Sequence, residues 1–300
     1  MSTIALGLPG SCLAAVALAK AAVVGFGVVA ASSGLLVSAD ELATLLKDPA
    51  VVVIAVGNSP DDFTAGHIPG ARFVLYSDIA PDRDGLQSEL PPVETLRRVL
   101  SSAGIGDRSK VIVYGSTIAA TRMFFTLDYF GHPDVRLLNG GLAAWKARGG
   151  ALEVSPPPTV TASSLTPKPR PDRVVSADWI TERLSSPRIK LLDARPDAEY
   201  TGSDGGMNGM HAAGHLPDAE QLVWNTLLDS TGKFLPDAEL RKKYEAIGAG
   251  TDTPLVSYCM IGMRASVTYF VARHLGYDAR MYDGSIVDWT RRRLPVVKGR

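Results

Sequence analysis

Pro254-Leu255-Val256-Ser257-Tyr258-Cys259-Met260-Ile261-Gly262-Met263-Arg264 is the stretch on which the fold turns. The apolar segment Pro254–Tyr258 has the length of a buried strand and stops at a cysteine. Gly262 permits a sharp turn, and Arg264 opens an amphipathic helix running to Leu275. A strand, a short loop and a helix in this order form the repeating unit of a parallel sheet covered by helices. Ligands in such sheets sit at the C-terminal strand ends, where Cys259 stands. Working outward, Asp178–Leu184 reads as a helix and Ile189–Asp193 as a short buried strand. Pro236–Ile247 reads as a charged helix with Leu240 and Tyr244 on its apolar face, and Ala279–Tyr282 as a further strand. The fold class is therefore α/β.

An earlier copy of the same pattern precedes it. Ser38-Ala39-Asp40 recurs as Ser176-Ala177-Asp178, and Ala65-Gly66-His67-Ile68-Pro69 as Ala213-Gly214-His215-Leu216-Pro217. Val111-Ile112-Val113-Tyr114 matches Leu255-Val256-Ser257-Tyr258, and Trp145 matches Trp289. A repeat this long means duplicated domains, not a solenoid. Between the copies lie Ser155-Pro156-Pro157-Pro158 and Pro167-Lys168-Pro169-Arg170-Pro171, a proline density that excludes helix and favours an extended, semi-rigid connection. The expected organisation is a leader at 1–34, a first domain at 35–154, a linker at 155–173 and a second domain at 174–300.

The 300 residues are 46% hydrophobic and 21% charged, an ordinary globular balance. Thirty-one basic residues offset 31 acidic ones, which argues against nucleic acid or an anionic membrane surface as partner. Two cysteines, Cys12 and Cys259, exclude a disulfide scaffold, and the scattered histidines offer no metal-ligand spacing. No cofactor is expected. Residues 21–31 form an apolar run after Lys20, too short to span a bilayer but suited to a secretory signal. The expectation is export to the periplasm or beyond, with no stable membrane insertion after leader removal. An uncleaved anchor and a cytosolic chain with an apolar extension remain as alternatives.

The chemical centre is Cys259. A turn at Gly262 with inward amides, backed by a helix start, makes an anion cradle that favours a charged thiolate. A lone cysteine at a strand end is more often a small core residue. Against that reading, the matching position of the first copy is Gly115, so the fold does not require a thiol there.

Together these pieces resemble the tandem-domain sulfurtransferases of the rhodanese family. The resemblance rests on Leu192-Asp193-Ala194-Arg195, Gly214-His215-Leu216-Pro217, the loop Cys259–Arg264, Tyr282-Asp283-Gly284-Ser285 with Trp289, and Asn139-Gly140-Gly141 with Trp145. It covers residues 35–295. It implies two rhodanese-like domains, each a parallel sheet flanked by helices, with only the second catalytic. It also implies that Cys259 takes a sulfur atom from a small anionic donor such as thiosulfate and passes it, as a persulfide, to a thiophilic acceptor. Met260, Ile261, Gly262, Met263, Arg264 and Arg195 are the expected substrate-binding residues. Mercaptopyruvate as donor, or a persulfide carrier of low turnover, are the alternatives. Arg264 stands five residues after Cys259, a spacing shorter than in the cysteine phosphatases and better suited to one sulfur than to a tetrahedral oxyanion.

The pattern departs from the family at two places. Where thiosulfate enzymes carry a lysine the chain has Ile261, and where they carry a basic residue it has Glu199. Asp193 with Arg195 reads first as an ion pair bracing the fold. His215 reads as structural, because its twin His67 persists in the half without a cysteine. Arg122 reads as a helix-start surface or interdomain contact, Asp283 as a turn cap, and the glycine-rich 202–214 stretch as an insertion near the site.

Overall fold

The central strands are short, mostly aliphatic runs, and each strand is paired in parallel with its neighbours. The computed structural model describes residues 1–3, 34–184, 188–204, 213–250 and 252–300. Residues 4–33 of the expected leader and 205–212 of the glycine-rich insertion lie outside that description. Gly34–Arg300 forms one unit.

The first sheet has β1 (Leu36–Val37), β2 (Val51–Gly57), β3 (Arg72–Leu75), β4 (Lys110–Gly115) and β5 (Val135–Leu138), in the order β1-β5-β4-β2-β3. Around it lie α1 (Ala39–Leu45), α2 (Asp61–Thr64), α3 (Tyr76–Ile79), α4 (Val93–Ser102), α5 (Thr117–Phe130) and α6 (Gly141–Ala147). The second sheet has β6 (Lys190–Asp193), β7 (Ala219–Gln221), β8 (Leu255–Tyr258) and β9 (Ala279–Met281), in the order β7-β6-β8-β9. Its helices are α7 (Ala177–Thr181), α8 (Asp197–Thr201), α9 (Asp237–Ala246), α10 (Ala265–His274) and α11 (Ser285–Arg291). Val174 bridges Met281 in parallel, in the place that β1 takes beside β5. All four β8 residues are buried, because helices cover both faces of the sheet.

The duplication extends to local chemistry. Ser38 and Ser176 cap α1 and α7 by accepting the N–H groups of Glu41 and Trp179. Tyr114 and Tyr258 accept the N–H groups of Ile68 and Leu216 through their hydroxyls. Trp145 and Trp289 each donate the indole N–H to a carbonyl, of Ala151 and Pro295, at 2.8 Å.

The two halves share one core. Helices α5 and α10 pack against each other, with Phe124 edge-on to Phe270 at 4.9 Å and Phe125 edge-on to Tyr269 at 5.1 Å. Asp128 on α5 accepts from Tyr269 Oη at 2.6 Å, Arg273 Nε at 2.8 Å and Arg170 Nη1 at 2.6 Å. Burial pushes its carboxyl up, but Arg273 and Tyr269 outweigh that and hold it below the usual carboxylate range.

The linker is extended yet docked. Lys168 and Arg170 donate their N–H groups to Phe130 O and Tyr129 O, and Leu165 is buried. Its end, Pro171–Arg173, is a 3-10 turn rather than extended chain, because proline is tolerated at the first position of such a turn.

Candidate active site

In the first half β4 passes to α5 through Ser116 alone, whose hydroxyl accepts the N–H of Ala119. A Cβ on Gly115 would run into the Val56 carbonyl, so no side chain fits there. In the second half β8 and α10 are separated by the six residues Cys259–Arg264. The first half has no such loop between its central strand and the helix that follows.

Three contacts to the α11 start hold that loop. Cys259 donates its N–H to Ser285 Oγ at 3.1 Å. Ile286 and Val287 donate theirs to Cys259 O at 3.1 Å and Met260 O at 3.3 Å. Gly262 turns at φ +80°, a region open to glycine without a Cβ penalty. Among the described residues, no protein acceptor takes the N–H groups of Met260, Ile261, Gly262 or Met263. Four successive amides without protein partners are a donor set for a ligand atom.

Cys259 is a free thiol and is 0% exposed. A cleft of about 510 Å³ lies over its loop, lined by Ile261 and Met263 from the second half and by Asn58, Tyr76, Pro81 and Ser88 from the first. Cys259 itself is not among the lining residues of that cleft. Met260 does not line the cleft as expected. Its side chain is 2% exposed and belongs to the apolar cluster of Val256, Tyr258 and Trp289.

The expected cations are already paired. Arg264 presents Nη1 and Nη2 to the two oxygens of Glu199 at 2.7 and 2.8 Å. Burial opposes its charge, but the Glu199 hydrogen bonds and the nearby Cys259 sulfur outweigh it and raise the guanidinium above its ordinary value. The expectation that Arg195 offers a cation to the donor is corrected. Arg195 is 0% exposed, clasps Asp193 through Nε and Nη2 at 2.6–3.1 Å, and donates Nη2 to Gly214 O at 2.6 Å. It braces the base of the glycine-rich insertion against the strand end.

His215 gives Nδ1 to the Tyr200 carbonyl region at 2.9 Å and stacks on the Tyr200 ring at 3.8 Å. His67 repeats both contacts with Phe63, so neither ring faces the thiol loop in a role peculiar to the second half. Asp283 is not a turn cap. It accepts from Arg122 Nη1 at 2.5 Å and Nη2 at 3.2 Å, and from the N–H of Leu90 at 2.8 Å, all from the first half. Glu89, beside them, was invisible to pattern reading. Burial, then the Asp283 charge, push its carboxyl up to about 7.

Comparison with known proteins agrees with this geometry. The family model described as "Rhodanese-like domain" matches residues 38–148 and again 176–292. A Pseudomonas aeruginosa protein named "Probable 3-mercaptopyruvate sulfurtransferase" is 34% identical over 290 residues, 89% of this chain and 99% of that one. A Corynebacterium glutamicum protein named "Thiosulfate sulfurtransferase" is 32% identical over 277 residues, 88% of this chain and 90% of that one. Among solved structures, the anaerobic ergothioneine biosynthesis enzyme of Chlorobium limicola, in complex with trimethyl histidine, is similar with a TM-score of 0.80 and 25% identity. That match covers 88% of this chain and 70% of the other.

Proposed function

The chain is a tandem-domain sulfurtransferase of the rhodanese family, and on that premise we propose that it moves a sulfane sulfur from thiosulfate to a thiophilic acceptor through a persulfide on Cys259. The observation that carries the reading is the row of unpartnered amides, Met260 to Met263, following a free thiol.

In the first step the Cys259 thiolate attacks the outer sulfur of thiosulfate. A new S–S bond forms, the bond within thiosulfate breaks, and sulfite leaves with the electron pair. The outer persulfide sulfur lies one bond, about 2 Å, beyond Sγ. There the loop amides stabilise its negative charge, as an oxyanion hole stabilises oxygen. In the second step cyanide or a thiol attacks that outer sulfur, and the thiolate is regenerated. This is covalent catalysis with ping-pong kinetics. Arg264, held in place by Glu199, supports the charged sulfur from the helix start. Ile261 and Met263 form an apolar rim through which the donor passes.

Thiocyanate release from thiosulfate and cyanide tests the reading, with mercaptopyruvate as the competing donor. Turnover with thiosulfate that Cys259→Ala abolishes is expected. Full turnover in that variant contradicts it. Mercaptopyruvate is the second reading, favoured by one observation: Arg264, Arg195 and Arg122 are each already matched by a carboxylate, so a small dianion meets paired cations around the loop. Export by the apolar leader is proposed on the 21–31 run, and cell fractionation tests it.

A further inference from the structure

The half without a nucleophile touches both ends of the Cys259 loop through two consecutive residues of α5. Thr121 Oγ lies 2.8 Å from Ser266 Oγ. Ser266 in turn donates its hydroxyl to Met263 O at 2.7 Å and its N–H to the same carbonyl at 3.2 Å. That fixes the far end of the loop. Arg122, next along the helix, grips Asp283 with both Nη atoms. Two residues beyond Asp283, the Ser285 hydroxyl accepts the Cys259 N–H, and that fixes the near end. In the middle, a Cβ on Gly262 would lie 2.8 Å from Asp283 O, 2.8 Å from Asp283 Oδ1 and 3.1 Å from Arg122 Nη1. The turn of the loop therefore rests on the ion pair itself.

Two further features mark this contact as more than packing. Ser285 is a non-glycine residue at φ +53°, a conformation that costs on the order of 1–3 kcal/mol and persists only where its surroundings enforce it. Arg122 is 0% exposed, and its Nε has no acceptor among the described residues. A buried ion pair is weak support for stability, since apolar residues of similar volume often serve the fold as well. What this pair fixes is position.

We propose that Arg122, from the half lacking a cysteine, is a positioning residue: by anchoring Asp283 it sets the conformation of the Cys259 loop and the direction of the Met260–Met263 amides. The proposal rests on Cys259 being the reacting atom. The charged and titratable groups around the loop are Arg264 with Glu199, Arg122 with Asp283, Glu89, and Tyr76. All except Arg122 and Asp283 are left intact by the test.

Arg122→Met alone strands Asp283 as a buried charge, so the informative variant is Arg122→Met with Asp283→Asn, alongside Arg122→Lys. Three readouts are taken on the full chain: thermal unfolding, the rate of Cys259 alkylation by iodoacetamide at fixed pH, and kcat and KM with thiosulfate. The double variant is expected to unfold cooperatively. Its kcat should fall roughly tenfold or more with KM changed less than about threefold, and Arg122→Lys should recover part of the loss. Alkylation should slow by about fivefold, because the displaced loop no longer holds the sulfur in its reacting position. A merely structural brace gives the opposite sign, since loosening exposes a buried thiol and speeds alkylation. Alkylation unchanged or faster overturns the proposal. Slower alkylation in an enzyme that takes no sulfur from thiosulfate upholds it and instead refutes thiosulfate as donor.

Discussion

Glu199 and Arg264 face each other fork to fork, at 2.7 and 2.8 Å, so the guanidinium at the start of α10 is already matched by a carboxylate. Glu199→Gln keeps the size of the side chain and removes its charge. The freed cation should lower KM for thiosulfate by roughly threefold or more, at a stability cost of about 1–2 kcal/mol for a partly buried pair. Steady-state kinetics with thiosulfate check this. A raised KM means that Arg264 serves the loop only as a strut.

The Glu89 carboxyl gives the protein a pH dependence of definite sign. Its value is pushed up to about 7 in the folded chain, first by burial and then by Asp283, against 4.5 when unperturbed. A raised value means that its contribution to stability is complete below the unfolded value and is lost as pH rises through the folded one. Glu89→Gln should therefore exceed the wild type in stability by roughly 2–3 kcal/mol at pH 8, with the gap closing near pH 4.5. Urea unfolding at both pH values decides it, and an equal gap at both removes Glu89 as the cause.

Gly262→Ala should be far more harmful than Gly232→Ala, although both glycines sit near φ +80°. At Gly232 nothing lies within 4 Å of an added Cβ, whereas at Gly262 it meets Asp283 at 2.8 Å. Both variants carry the backbone penalty of about 1 kcal/mol. Gly262→Ala should in addition lose most of its turnover. Equal activity in the two variants would show that the loop tolerates displacement.

The shared core predicts that residues 172–300 do not stand alone. Without α5, the Phe270 and Tyr269 rings and the Arg273 guanidinium lose Phe124, Phe125 and Asp128. The expected product keeps far-UV but loses near-UV circular dichroism and binds a hydrophobic dye. A fragment that unfolds cooperatively and turns over at the full rate contradicts this.

What the sequence made legible is what local pattern controls. The apolar segment Pro254–Tyr258 becomes β8 at Leu255–Tyr258, and the helix read at Arg264–Leu275 becomes α10 at Ala265–His274. Proline, glycine and the edges of an apolar run mark such ends within a residue or two. The thiol loop was legible for the same reason, and so was the absence of its counterpart at Gly115. The partners of the site were not. Arg122 and Asp283 are 161 residues apart, and Glu199 and Arg264 are 65 apart. No periodicity links them, because tertiary packing of α5 on α10 brings the first pair together. In the sequence Glu199 therefore reads as a lost cation, when it is the carboxylate that holds one. Arg195 reads in the sequence as a cation near the donor anion, because its enclosure by Asp193 and Gly214 shows only in three dimensions.

The central claim is that sulfur rides on Cys259. Intact-protein mass spectrometry after exposure to thiosulfate tests it most directly, before and after cyanide, in the wild type and in Cys259→Ser. The account predicts that the wild type gains one sulfur atom and loses it to cyanide, and that the serine variant gains none. Sulfur uptake that survives in the serine variant, or none in the wild type from any donor, would contradict it.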